Sequence, residues 1–350
     1  MMESRSARTF VENISRRKDN NYFSECTINW GNPMLILQPN SRTMILDQDT
    51  NFVYFSELLW KNTPGGKGII EQIMRHGVYC SLLKDTKDIW ARDYMPIQLD
   101  SDRYAGYEFA PNYLYNDKRY ISTITQQARI CNELEIEPQP SGLIIDGGNI
   151  VKTSKGVIMT EKVFVENPQY SRIDLINRLE KMLETEIIFI LWDRSEIYGH
   201  ADGVAREIAP GKLLMTNYHR FSRCFADLFL KELSLHFDIE TLDYKVEKPH
   251  PHNWCYINFL QVGNKIFIPQ LTAYSETPTA FDMTKSIIID GMAQTVTGKV
   301  IEEDAQALEQ FRRLIPDKEI IPISCPQLVK RGGALNCISW NIKKEFLCEA

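Results

Sequence analysis

The hydrophobic positions change period along the chain, and the changes mark out alternating short strands and helices. Met34 to Leu37 and Arg42 to Leu46 are short apolar runs separated by Pro39-Asn40, which predicts two strands about a turn. Residues 51–60 are aromatic-rich and fit either a strand or a helix. After the Pro64-Gly65-Gly66 loop, Ile69, Ile70, Ile73 and Met74 fall on one face of a helix over 67–76. Val78 to Leu83 then reads as a strand running toward Trp90. The same alternation predicts helices over 121–134, 170–183, 223–236 and 303–315, with Ile173, Ile176, Leu179, Met182 and Leu183 as the apolar face of the second. Strands are predicted at 143–145, 157–160, 187–192, 213–216, 319–323 and 336–340. Segments 256–262 and 265–268 form a hairpin across Gly263-Asn264, a favoured two-residue turn.

Strand–helix units thus recur every roughly 50 residues, several with a hairpin. No Pro/Gly/Ser linker divides the chain, so the pattern predicts one α/β domain over 21–350, built from degenerate units around a shared centre. Residues 1–20 are polar and expected to fray. The stretch 273–298, rich in Ser, Thr and Met and unpatterned in its middle, reads as a long loop or insertion.

Composition narrows the function classes. Forty basic against 46 acidic side chains give a net charge of -6, which argues against a nucleic-acid partner held by phosphate neutralisation. Eight cysteines, at 26, 80, 131, 224, 255, 325, 337 and 348, form no CxxC pair, so they predict free thiols of a reducing compartment. His250-Pro251-His252 lacks a third ligand at convincing spacing, and no metal is expected. Residues 1–20 lack the apolar core of a secretory signal, and no segment reaches the ~20 apolar residues of a membrane span. A cytoplasmic protein with no membrane partner is the expectation.

The polar residues that stand out lie at predicted strand ends. Cys337 follows Gly332-Gly333 at a turn, and taken alone it fits a buried structural thiol as well as an exposed nucleophile. His200 sits among small residues in Gly199-His200-Ala201-Asp202-Gly203, where an imidazole can enter a cleft. Asp93 and Asp202 are the paired carboxylates, and two carboxylates can grip a planar guanidinium bidentately. If 200–202 is extended, His200 and Asp202 face one side. Trp90 fits a pocket wall or the core, and Arg92 a salt bridge to Asp93 or a site contact. Asp146-Gly147-Gly148-Asn149 is a third strand-end turn, without the pattern of a dinucleotide loop. Asn336 either positions the Cys337 backbone or donates into the site.

Five segments in order carry a resemblance: Trp-x-Arg-Asp-x-x-Pro at 90–96, Asp-Gly-Gly-Asn at 146–149, Gly-His-x-Asp-Gly at 199–203, Tyr256-x-Asn258-Phe259 with Pro269-Gln270, and Gly-Gly-x-x-x-Cys at 332–337. Together they resemble the agmatine deiminase and bacterial-type peptidylarginine deiminase family. The resemblance implies the pentein fold, a five-bladed α/β propeller with pseudo-fivefold symmetry. It implies Cys337 as nucleophile, His200 as general acid/base, and Asp93 and Asp202 as the carboxylates that bind the guanidinium. Trp90, Arg92, Asp146, Asn149 and Asn336 are then the candidate substrate contacts. The implied reaction is hydrolytic deimination of a small cationic guanidine, foremost agmatine to N-carbamoylputrescine and ammonia, through a covalent thiouronium, with no cofactor and no metal. A homodimer is compatible with it. Peptidylarginine or another guanidine, amidinotransfer, or guanidine binding without catalysis are the alternatives. Two positions depart from the usual agmatine deiminase pattern: Asp146 stands where Glu is typical, and Asn336 precedes Cys337 where His is typical.

Overall fold

Five times along the chain one strand pairs antiparallel with a neighbour on one side and parallel with another on the other, and a helix spans the parallel connection. In this computed structural model, residues 44–115, 118–275, 286–289, 292–296 and 299–345 are described, all within a compact unit covering Arg42–Ala350. The first blade is centred on Phe52–Ser56, antiparallel to Ser339–Ile342 and parallel to Tyr79–Leu83, with helix Gly66–Arg75 between the parallel strands. The second has Ile97–Gln98, Tyr104–Glu108 and Gln139–Ile144; the third Val151–Thr153, Gly156–Thr160 and Ile187–Ile190. The fourth has Ala205–Ala209, Lys212–Met215 and Asp238–Thr241; the fifth Leu260–Val262, Lys265–Gln270 and Glu319–Ser324. Helices Gln127–Glu133, Arg172–Leu183, Arg223–Leu233 and Glu302–Leu314 span the parallel connections of these four blades. A parallel pair needs such a crossover, and this requirement produces the recurring unit seen in the sequence. The first blade is closed by the last of the described strands.

Helix Arg172–Leu183 shows how the local sequence sets the packing. Ser171 caps it by accepting from Asp174 N–H, Leu175, Leu179 and Leu183 line its buried face at i, i+4 and i+8, and Glu184 ends it at φ 54°. Ile173 does not belong to that face. Two residues before Leu175 it points nearly opposite and is 74% exposed. In the fifth blade, helix Glu302–Leu314 buries Ala307 and Phe311, whose ring meets Phe259 edge-on at 5.4 Å.

Other expectations shift for identifiable reasons. Residues 51–60 are both options in succession: strand Phe52–Ser56, then helix Glu57–Asn62 capped by the Ser56 hydroxyl on Leu58 N–H. The helix expected over 121–134 is broken into Lys118–Ile121 and Gln127–Glu133, because Thr125 between them is buried and commits its hydroxyl to Lys87 N–H. Residues 44–46 form no strand and lead into a tight turn at Asp47–Asp49; 34–37 and 1–20 lie outside the described residues. The segment expected as a long loop at 273–298 contains a sixth, antiparallel sheet of Tyr274–Ser275, Ser286–Ile289 and Met292–Val296, inserted before the last crossover helix; 276–285, 290–291 and 297–298 lie outside the described residues. The run Ile287-Ile288-Ile289 is β-branched and favours that pairing. The strand expected over 336–340 begins only at Ser339, which leaves Asn336 and Cys337 in the turn before it.

Each inner strand also buries one polar side chain at the equivalent place: Gln98, Lys152, Arg206, Gln261 and Asn341. Asp47 reaches Lys152 Nζ at 3.0 Å and Arg206 at 2.6 Å. Asn341 accepts from Arg92 at 2.6 Å and donates to the Gln261 carbonyl at 2.9 Å. Burial alone would raise the Asp47 carboxyl, but Lys152, Arg206 and Arg92 outweigh it and hold it well below the usual carboxylate range. Its contribution to stability is therefore present above the unfolded value near pH 4 and is lost as the pH falls toward the folded one. Asp47→Ala leaves two buried cations without their counter-ion and is expected to cost about 3–5 kcal/mol in urea unfolding at pH 7. The deficit should shrink in acid; an unchanged midpoint at pH 7 would show that Asp47 does not neutralise this cluster.

Candidate active site

The strand that leaves each blade ends in a turn, and the five turns meet in a ring. They lie at 91–94, 146–149, 200–203, 253–258 and 334–337. Gly148 N–H donates to Asp93 Oδ1 at 3.2 Å, joining the first turn to the second. His200 Nε2 lies 3.0 Å from Asp146 Oδ2, joining the second to the third. Asn258 Nδ2 donates to Asp202 Oδ2 at 3.0 Å, joining the third to the fourth. Cys337 N–H donates to Asn258 Oδ1 at 3.2 Å and Asn336 N–H to the Asn258 carbonyl at 3.1 Å, joining the fourth to the fifth. Arg92 N–H donates to the Cys337 carbonyl at 3.1 Å and closes the ring.

A cavity of about 790 Å³ opens over this ring. Asp93, His200, Asp202 and Cys337 all line it, with Trp90, Asn258, Gly332 and Gly333. The Cys337 sulfur lies 3.9 Å from Asp202 Oδ2, and His200 Nδ1 lies 3.8 Å from Asp93 Oδ1. Two glycines make the approach possible. A Cβ on Gly333 would stand 2.5 Å from the Trp90 ring and 3.1 Å from Cys337 Cβ; one on Gly148 would stand 2.4 Å from His200 Nδ1. Farther out, the cavity wall carries Phe109, Tyr113, Tyr198 and Trp254, with Asp88 and Arg331.

The electrostatics follow from crowding carboxylates where water is scarce. Burial raises Asp93 most, Asp146, Asp202 and Asp88 add to this, and His200 opposes, leaving it at about 7. Burial would lower His200, but Asp93, Asp146 and Asp202 outweigh that and raise it to about 9. At neutral pH the ring is a cation. Burial also pushes the Cys337 thiol well above its ordinary value, and Asp202 and Asp93 push it further. Both effects keep the thiol protonated at neutral pH.

The structure brings together the four residues named for chemistry, and Trp90 with them. It does so by a tight turn at Ala201–Gly203, not by the extended 200–202 considered from sequence. Four candidate substrate contacts are placed otherwise. Arg92 is buried with its guanidinium on Asn341 and the Asn336 carbonyl, a joint between the first and last blades. Asn149 exchanges hydrogen bonds with the Thr160 backbone. Asp146 is buried behind His200, and Asn336 spends its amide on Asp202 at 2.6 Å. None of these four side chains lines the cavity; each holds a residue that does, or the turn carrying it. Missed altogether were Lys162, which reaches Asp146 from behind, and Glu166, which pairs with Lys162. Their only trace in the sequence is a Lys–Glu pair at helical spacing, which reads as a solvent-exposed helix pair. Among the described residues no cluster of His, Cys, Asp or Glu is placed to hold a metal, and no helix is long and apolar enough to cross a membrane.

The fold is that of solved penteins. It matches the structure of the agmatine deiminase of Enterococcus faecalis with a TM-score of 0.58 at 18% identity, over 86% of this chain and 96% of that one. It matches the C. jejuni agmatine deiminase structure with a TM-score of 0.58 at 15% identity, over 86% and 96%. By sequence, residues 67–342 match the Porphyromonas-type peptidyl-arginine deiminase family, and the chain belongs to that family. An agmatine deiminase of Pseudomonas putida is 24% identical over a stretch covering 57% of each chain, so the match spans little more than half of that relative's length.

The protonated thiol makes a checkable statement. Iodoacetamide should modify Cys337 slowly at pH 7.5, as followed by peptide mass spectrometry against the exposed Cys224. Asp202→Asn removes the negative charge beside the sulfur and should speed modification of Cys337 by about tenfold or more, since one pKa unit is a tenfold change in thiolate. Equal rates in the two proteins would mean that Asp202 does not control the thiol.

Proposed function

We propose that this protein hydrolyses the guanidinium group of a small cationic substrate, with agmatine as the substrate best supported. The observation that carries the reading is the convergence of Cys337, His200, Asp93 and Asp202 on one cavity. Asp93 and Asp202 would take the two edges of a guanidinium and hold its carbon beside the Cys337 sulfur. The cation offsets the two charges that keep the thiol protonated, so the substrate itself lowers the cost of forming the thiolate. As the cation binds, the Cys337 thiol gives up its proton to solvent, and the thiolate attacks the guanidinium carbon to give a tetrahedral adduct. His200, protonated at neutral pH, gives its proton to one nitrogen, and ammonia leaves as the carbon–nitrogen bond breaks. The remaining thiouronium is attacked by water, which His200, now neutral, deprotonates. Collapse of the second adduct breaks the carbon–sulfur bond, its hydroxyl proton returns to the sulfur, and a ureido product and the Cys337 thiol are released.

Agmatine is favoured by the carboxyl of Asp88 in the cavity wall, suited to a second cationic end, and by the relatives named agmatine deiminases. Arg331 in the same wall favours a substrate that carries a carboxylate, such as arginine. Incubation with agmatine, free arginine and an arginine-containing peptide separates these readings, with ammonia and the ureido product measured together. Agmatine should give both in equal amounts, and Cys337→Ala should give neither. Asp93→Asn and Asp202→Asn should each lose about 10²–10³-fold in kcat/KM, the scale of removing one preorganised electrostatic contact. No turnover of any of the three substrates would sink the reading. Full activity of Cys337→Ala would remove Cys337 from it.

A further inference from the structure

Behind His200, on the side away from the cavity, lies a buried ionic chain that the proposed reaction does not use. Lys162 is fully buried. Its Nζ donates to Asp146 Oδ2 at 2.6 Å and to Glu166 Oε1 one helical turn on. The same Asp146 oxygen lies 3.0 Å from His200 Nε2, so one oxygen serves both the lysine and the histidine. The lysine ammonium lies 5.1 Å from the centre of the Tyr113 ring, and that ring also lines the cavity. The backbone of Gly199, next to His200, runs against the lysine stem, and the Thr160 hydroxyl holds the Gly199 carbonyl at 2.6 Å.

We propose that Lys162 and Glu166 are positioning residues that set the proton affinity of His200: Lys162 competes with the imidazole for Asp146, and Glu166 competes with Asp146 for Lys162. The inference rests on the acid/base role proposed for His200, but its physical content is independent of turnover. An ammonium on Asp146 Oδ2 withdraws negative charge from the imidazole. Glu166 draws that ammonium partly away and returns the charge. Burying two carboxylates with one lysine is costly, and it is a costly way merely to hold a helix in place. Burial and the Asp146 charge raise Glu166 to about 7, so above that pH the carboxylate is ionised and the competition is complete. The groups facing His200 from the other elements are Asp93 at 3.8 Å, Asp202 and Cys337 within the cavity, and the Tyr198 ring at 6.0 Å. Two of these, Asp93 and Asp202, are carboxylates on the cavity side. Lys162 is the cation that balances them from behind.

The test is a titration of the His200 ring by NMR on the full chain with labelled histidine, assigned with His200→Gln, together with the pH dependence of kcat for whichever guanidine turns over. Glu166→Gln keeps the shape and leaves the lysine wholly on Asp146, so the His200 midpoint should fall by about half a pH unit or more. Lys162→Met combined with Glu166→Gln removes the competitor and should bring the midpoint back up past that of Glu166→Gln. Lys162→Met alone strands two carboxylates and is expected to lose stability, which the double variant avoids. A midpoint below wild type in Glu166→Gln and above wild type in the double variant supports the proposal. Midpoints that coincide with wild type, or that move together, overturn it and leave the chain a structural support whose loss lowers only the melting temperature. Moved midpoints without turnover of any guanidine would keep this proposal and refute the function proposed above.

Discussion

The structure depends on five turns closing a ring through backbone and side-chain hydrogen bonds, with a joint between each pair of neighbours. Asn258 shows how economical the joints are. Its carbonyl receives Asn336 N–H, its side-chain oxygen receives Cys337 N–H, and its amide supports Asp202. A single asparagine thereby fixes the sulfur-bearing turn and one carboxylate relative to each other. The five-blade repeat is what makes this possible, because each blade delivers its turn to the centre at the end of the same strand. The site is thus distributed over the whole chain, with residues nearly 250 positions apart held within a few ångström.

Crowding acidic groups in a dry ring has a cost that the chain offsets from two sides. On the cavity side, Asp93 and Asp202 face each other's charge with only the His200 cation between the turns to relieve them. On the opposite side the balance is reversed: Arg92, Lys152 and Arg206 share Asp47, and neutral Gln98, Gln261 and Asn341 fill the equivalent places. One end of the propeller is therefore short of positive charge and the other is short of negative charge. The second condition is met by a permanent internal carboxylate, Asp47.

Much of this was legible in the sequence, and for a physical reason. Strand-end turns need glycine and small polar residues, so Gly147-Gly148, Gly199 and Gly332-Gly333 mark where the chain enters the centre, and Asp93, His200, Asp202 and Cys337 stand beside those marks or at an equivalent place. The crossover helices show through their apolar periodicity. The roles of Arg92, Asp146, Asn149 and Asn336 did not, because a polar residue next to a reactive one looks the same whether it faces the cavity or braces a neighbour. Lys162 was invisible for a sharper reason. A lysine four residues from a glutamate is the commonest pattern of a wet helix surface, and only the packing of Tyr113 and Gly199 around it reveals a dry one. The sheet at Met292–Val296 was missed because its strands are short and lie in a stretch rich in Ser, Thr and Met, without the regular alternation that marks a strand.

Ser339–Ile342 closes the first blade by pairing with Phe52–Ser56, and it follows Cys337 by a single residue. Order of synthesis then matters. A chain emerging from the ribosome up to about residue 330 can form four blades, yet Phe52–Ser56 still presents an unpaired edge and the ring has a gap. The thiol arrives with the strand that seals that gap. Cys337 therefore meets the carboxylates and His200 in the same event that pairs the inner edge of Phe52–Ser56.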